Sequence, residues 1–167
     1  MARRLETIAS DQKRPPSIAP VREGAWRPKW SVMIPTFNCA DYLRITLQSL
    51  LDQAPGPDEM QIEVVDDCST KDNPEAVVQE LGRGRVQFFR QPGNVGAIEN
   101  FNTCVRRSRG HYVHLLHGDD LVYPGFYSAF EEALTTKNVG IVSARNTRSF
   151  HPSFANFNLH ARSCDWA

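Results

Sequence analysis

Two pairs of adjacent carboxylates, each closing an apolar run, are the residues of this chain most able to do chemistry. Ile62-Glu63-Val64-Val65-Asp66-Asp67-Cys68-Ser69 and Tyr112-Val113-His114-Leu115-Leu116-His117-Gly118-Asp119-Asp120 both read as strands that stop on acid. Neighbouring carboxylates are costly to keep ionised together unless something positive lies between them. A divalent cation carrying phosphate oxygens meets that need. A third run, Trp30-Ser31-Val32-Met33-Ile34, ends on Pro35-Thr36-Phe37-Asn38. Ligands of open α/β sheets bind beyond the carboxyl ends of parallel strands. Three polar strand ends on one such edge would make a single site.

The elements that must position those ends follow from periodicity. Leu43, Leu47, Leu50 and Leu51 fall at i, i+4, i+7 and i+8, one face of an amphipathic helix. Asp41 suits its first turn, and Pro55-Gly56-Pro57 forbids its continuation. A weaker helix is expected around Pro74 to Leu81, with Ser69 and Thr70 as caps and Gly82 as its close. Val86-Gln87-Phe88-Phe89 reads as a third strand, and Val95, Ile98, Phe101 and Val105 mark a further helix that stops at Gly110. The fourth strand is His111 to Leu116. Phe126, Ala129, Phe130, Ala133 and Leu134 form the clearest helical stripe, with Pro124 near its first turn. Val139-Gly140-Ile141-Val142 could start a fifth strand. Strand and helix alternate, with crossovers long enough for parallel pairing, so the fold class is α/β: a helix-covered, largely parallel sheet.

Bulk properties exclude more than they select. A chain of 167 residues can hold one domain with a sizeable core. With 19 basic and 19 acidic residues, no overall charge points to nucleic acid or a membrane. Cys39, Cys68, Cys104 and Cys164 show no CxxC pair, so buried free thiols in a reducing compartment are expected rather than a zinc site or a disulfide framework. There is no apolar run of the roughly 20 residues that would span a bilayer, nor a secretory signal at Met1-Ala2-Arg3-Arg4. A cytoplasmic, soluble chain is the expectation. Residues 1–29 are rich in Arg, Lys and Pro and read as a flexible basic lead-in, with contact to an anionic membrane surface as its functional alternative. Beyond about Arg145 the pattern decays. Phe150, Phe154 and Phe157 have helical spacing, but Pro152 interrupts them, which suggests an irregular tail over 144–167, truncated or altered in frame.

Several α/β families place acids at strand ends, and most do not fit. The dinucleotide-binding G-x-G-x-x-G is absent where Pro35-Thr36-Phe37-Asn38 stands. A haloacid-dehalogenase D-x-D-x-T fails because Cys68 lies two places after Asp66, and a phospho-receiver series fails because no lysine follows the Ile141 strand. Residues 30–143 instead resemble family 2 glycosyltransferases, the GT-A nucleotide-sugar fold. Ile34-Pro35-Thr36-Phe37-Asn38 is similar to the family's opening P-T-[FY]-N loop. Val64-Val65-Asp66-Asp67-Cys68-Ser69-Thr70 resembles its V-V-D-D-G-S-T, and Asn94-Val95-Gly96 with Asn100 resembles its N-x-G turn and helix. His117-Gly118-Asp119-Asp120 sits where the family carries D-x-D.

The resemblance implies a Rossmann-like, mostly parallel GT-A sheet, incomplete at its C-terminus. It implies an inverting transferase that binds a nucleotide-diphosphate sugar, a UDP-sugar, with Mn²⁺ or Mg²⁺ for transfer to a glycan or lipid-linked acceptor hydroxyl. The alternative is a truncated donor-binding fragment without transferase activity. Pro35, Thr36, Asn38, Asp67, Asn94, Gly96 and Asp119 would contact the nucleotide sugar, and Asp119, Asp120 and His117 the metal. Such a cation acts as a Lewis acid on the departing diphosphate. Asp67 would accept from the base, whereas Asp66 either caps a turn or touches substrate. Two departures stand out. His117 replaces the first acid of D-x-D, so its imidazole could join a Mn²⁺ shell or hydrogen-bond the sugar or diphosphate. After Asp120 the only acids are Glu131, Glu132 and Asp165, the first two reading as solvated helix surface, so no general base is assigned.

Overall fold

A computed structural model of the protein describes residues 22, 24–137, 141–144 and 159–162. Strands β1 (Trp30–Thr36) and β2 (Met60–Asp66) are buried along their whole length. Both are covered on both faces, although Ser31, Gln61 and Glu63 interrupt their apolar sequences. With β3 (Gln87–Arg90) and β4 (Tyr112–Leu115) they form a parallel sheet in the order β3-β2-β1-β4. The chain builds outward from β1 through β2 to β3 and then crosses back to β4. The strand order therefore reverses between β1 and β4, where open α/β sheets hold their ligands.

The two faces of this sheet are unlike. Trp30, Val32 and Ile34 of β1 and Met60, Ile62 and Val64 of β2 pack against three helices: α1 (Ala40–Leu51), α2 (Pro74–Gly82) and α4 (Phe126–Lys137). Leu43, Leu47 and Leu50 of α1 are fully buried there, as the leucine stripe predicts. The opposite face carries Ser31, Gln61 and Glu63 beside a small apolar cluster of Met33, Val65 and Cys104. One helix, α3 (Ala97–Arg107), supplies Cys104 to that cluster.

Several local expectations are corrected. Helix α2 is capped by Asn73, whose side chain accepts from Ala76 N, and not by Ser69 or Thr70; it closes on Arg83 in the left-handed region rather than on Gly82. The apolar stripe expected for α3 does not face the core. Its buried residues are Asn100 and Cys104, while Ile98 is 79% exposed, because the sheet face it covers is itself partly polar. Residues 27–29 are not a free lead-in. Arg27 donates to the carbonyls of Arg109 and Gly110, and Lys29 pairs with Glu131 at 2.6 Å. Glu131 also accepts from the Trp30 indole at 2.8 Å, so it ties α4 to β1 instead of lying free at the surface.

The fifth strand forms as β5 (Ile141–Ala144) but leaves the parallel sheet, pairing antiparallel with β6 (Leu159–Arg162). A four-residue apolar run carries no signal that separates the two kinds of partner. Val139, Gly140, Arg145, Phe150, Phe154, Phe157, Cys164 and Asp165 lie outside the described residues, as does nearly all of 1–23. Cys104 is a buried free thiol as expected; burial, with the Glu63 carboxylate adding, pushes it up to about 12. Cys39 and Cys68 are free and half-buried.

Candidate functional site

The ends of β1, β2 and β4 meet around a cleft of about 370 Å³. Pro35, Thr36, Phe37 and Cys39 form its floor from β1 and the start of α1. Asp67 enters from β2, His117, Gly118 and Asp119 from the segment after β4, and Asn94, Gly96, Ala97, Asn100 and Phe101 from α3 and the turn before it. Local hydrogen bonds lock these strand ends together. Asp67 N donates to Thr36 O at 2.9 Å and Gly118 N to Pro35 O at 3.1 Å. A side chain on Gly118 would crowd this junction, since a Cβ would lie 3.1 Å from Thr36 Oγ1 and 3.2 Å from Cys39 Sγ.

The two members of the first acid pair differ in what they do. Asp66 is fully buried and faces inward: it accepts from Ser69 N and Ser69 Oγ and pairs with Arg90 Nε at 2.8 Å. It fixes the turn after β2. Asp67 lines the cleft and latches α3. Its Oδ1 accepts from Val95 N at 2.7 Å and its Oδ2 from Gly96 N at 2.9 Å, while Asn94 Nδ2 donates to its carbonyl at 3.2 Å. A carboxylate on the amides at a helix N-terminus is electrostatically favourable. The V-D-D and N-x-G motifs are thus two halves of one contact, with Gly96 needed for its φ of +85°. A carboxylate offers about four lone-pair positions, so two remain on Asp67 for a ligand.

His117, Asp119 and Asp120 share one exposed turn, closed by Asp120 N donating to His117 O at 3.0 Å. Among the described residues they form the only grouping of three such side chains able to hold a metal, with candidate ligand atoms all within 4.8 Å of one another. An imidazole nitrogen and two carboxylates suit a Mn²⁺-like ion. The Phe101 ring, 5.1 Å from the His117 ring, backs the imidazole.

Most of the residues singled out in the sequence converge on this cleft: Pro35, Thr36, Asp67, Asn94, Gly96, His117 and Asp119. Asn38 does not line it. With φ at +52°, its Oδ1 accepts from Thr70 N and Lys71 N at 2.9 and 3.0 Å, so it braces the β2–α2 loop. Asp120 lies beyond the lining residues, beside Asp119. Sequence reasoning passed over Cys39 and Ala97, for which no motif speaks, and treated Phe101 only as part of a core stripe. His114, on β4, is half-buried against α4, stacked on Phe126 at 4.9 Å and bonded to the Tyr127 hydroxyl, and does not line the cleft.

Comparison with known proteins places the chain in a family. Residues 31–162 match the family described as Glycosyl transferase family 2. The chain belongs to that family. Among curated relatives, this family 2 chain is 32% identical over 96 residues to the poly(ribitol-phosphate) beta-N-acetylglucosaminyltransferase TarP of Staphylococcus aureus, covering 57% of this chain and 29% of TarP. It is 34% identical over 99 residues to the chondroitin synthase of Escherichia coli, covering 58% of this chain and 14% of the synthase. Of solved structures, S. aureus TarS in complex with UDP-GlcNAc aligns with a TM-score of 0.55 at 25% identity, covering 64% of this chain and 31% of TarS. The mannosyltransferase PcManGT from Pyrobaculum calidifontis, in complex with GDP-Man and Mn²⁺, shares the fold with a TM-score of 0.60 at 24% identity, over 81% of this chain and 40% of that one. The chain spans no more than 37% of the length of these curated relatives, and 36–37% of three others. Among the described residues no helix is long and apolar enough to cross a membrane.

Proposed function

We propose that the chain is the donor-binding part of an inverting glycosyltransferase. It takes a nucleotide-diphosphate sugar, a UDP-sugar, with Mn²⁺ or Mg²⁺, for transfer to a glycan or lipid-linked acceptor hydroxyl. The observation that carries this is the continuity of one cleft from Asp67 and the Asn94–Gly96 turn to Asp119. The base would lie between the β1 end and the Asp67 latch, with a free lone pair of Asp67 accepting its N–H. The diphosphate would then reach the turn that bears His117, Asp119 and Asp120, the residues that would hold the cation. Bound there, the cation supplies Lewis-acid stabilisation of the leaving diphosphate. Ala97 and Asn100, on the first turn of α3, line the cleft, and the Phe101 ring packs on the imidazole.

A donor-binding part without transferase activity of its own is the second reading. It is favoured by the acids of the cleft: among its lining residues only Asp67 and Asp119 are acidic, and both already have other tasks. A general base is worth about 10²–10⁴-fold to such a reaction, so a radiolabelled UDP-sugar assay on this chain separates the readings.

The binding reading itself is tested by calorimetry of UDP with Mn²⁺ and with EDTA. UDP should bind measurably only with the metal, and Asp119→Asn should lose most of the metal-dependent affinity. Equal affinity in both buffers would remove the metal site from the proposal.

A further inference from the structure

The turn that bears the metal-binding side chains has little packing of its own, since His117, Asp119, Asp120 and Leu121 are all exposed. It is fastened instead along one face of α1 and the turn after it. Thr46, Ser49 and Gln53 stand at i, i+3 and i+7 and so project on one side. Thr46 is 1% exposed. Its Oγ1 lies 2.6 Å from Asp120 O and 3.1 Å from Gly118 O, as well as 3.1 Å from Tyr42 O in its own helix. Farther along, Ser49 Oγ accepts from Val122 N at 3.2 Å, and Gln53 Nε2 donates to Tyr123 O at 3.0 Å. A hydroxyl has one proton to give, and the shortest contact assigns it to Asp120 O. The two loop carbonyls that approach Thr46 belong to the residues on either side of Asp119.

We propose that Thr46 is a positioning residue for the metal site. By holding Asp120 O, directly after Asp119, its hydroxyl fixes the turn in which Asp119, Asp120 and His117 face one another. The inference rests on the metal reading given above. Groups already held in the binding geometry lose less freedom when the ligand arrives. The same helix begins directly behind Pro35–Cys39, so it borders the nucleoside side of the cleft and the metal side alike.

The test reads Mn²⁺ affinity with UDP present, by the electron paramagnetic resonance signal of free Mn²⁺, for the 167-residue chain and its variants. Thr46→Val keeps the shape and loses the hydroxyl. It should bind Mn²⁺ about tenfold more weakly, the lower end of what partners of metal ligands contribute. Thr46→Ser should restore most of the affinity. Leu47→Ala, which opens the core beside Thr46 and removes no hydrogen bond to the turn, should lower the melting temperature yet leave the affinity of the folded protein unchanged. Wild-type affinity in Thr46→Val, or an equal loss in Thr46→Ser and Leu47→Ala, would overturn the proposal. If Thr46→Val does not fold, Ser49→Ala takes its place, with a smaller loss expected and an unchanged affinity counting against. A wild-type chain that takes up no Mn²⁺ at all would sink the metal reading itself, a failure distinct from that of Thr46.

Discussion

The two faces of the one sheet are held by different physics. Under α1, α2 and α4 lies a continuous apolar core that runs from Trp30 to Leu134. Under α3 the apolar cluster is only Met33, Val65 and Cys104, edged by the partly buried Phe89 and Leu115, and polar groups lie beside it. There Glu63, 2% exposed, pairs with Arg107 Nε and accepts from Gln61 Nε2 at 3.0 Å. Arg107 lies over the Phe89 ring at 4.0 Å, and Asn100 Nδ2 reaches Val65 O at 2.9 Å. Non-directional burial makes a stiff wall on the first side of the cleft. Directional, long-range polar bonds make the second, so the wall that carries the Asn94–Gly96 turn is the one whose position depends on individual contacts.

The largest effect is expected on the apolar face, and it is an effect of pH. His114 pairs in register with Val32 and is enclosed by Phe126 and Tyr127. Burial, with His117 nearby adding, lowers its pKa from 6.5 to about 4. The unfolded chain therefore binds a proton through this window that the folded chain refuses. Stability is fully present above pH 6.5 and falls as the pH drops toward 4, by about 2–3 kcal/mol from this group. Urea unfolding at a series of pH values checks it, and His114→Leu should flatten the slope. A slope that survives in His114→Leu would move the acid sensitivity to other groups.

On the polar face, Arg107→Met should cost about 2 kcal/mol. Breaking a buried pair strands the surviving charge, but the Arg107 side chain is 38% exposed, so water can reach Glu63 and the loss stays below the full buried-pair range. Glu63→Gln in the same chain should recover most of it. A double variant as unstable as the single one would mean that the face is held by shape rather than by charge.

The same contrast explains what could be read without a structure. Leucines at 43, 47 and 50 announce α1 because the face they bury is apolar and local spacing reports it. Thr46 fell in that same stripe, and a polar residue in a core slot was the available sign of its role. For α3 the partners of Asn100 and Arg107 lie 35 and 44 residues away, beyond any local window, so the pattern there could only mislead. The cleft itself was largely legible because motifs at strand ends need only the strand order to be brought together. Asn38 stands outside the lining for the opposite reason: its left-handed backbone and loop-bracing bonds follow from tertiary contact with residues 69–71.

The smallest effect separates the two readings of α3 most directly. If Val95, Ile98, Phe101 and Val105 were the core stripe that their spacing suggests, Ile98→Ser would open a core cavity and bury a hydroxyl. Large-to-small changes at such positions cost about 2–5 kcal/mol. In the fold, Ile98 is 79% exposed and on the solvent side of the helix, whereas Asn100 at 2% and Cys104 at 0% face the sheet. Ile98→Ser should then change the unfolding free energy by no more than about 0.5 kcal/mol, as surface substitutions do. The wild-type and variant midpoints in urea decide it. A loss of several kcal/mol would mean that Ile98 is covered by another surface in solution, and that the apolar stripe of α3 is buried after all, against that surface rather than against the sheet.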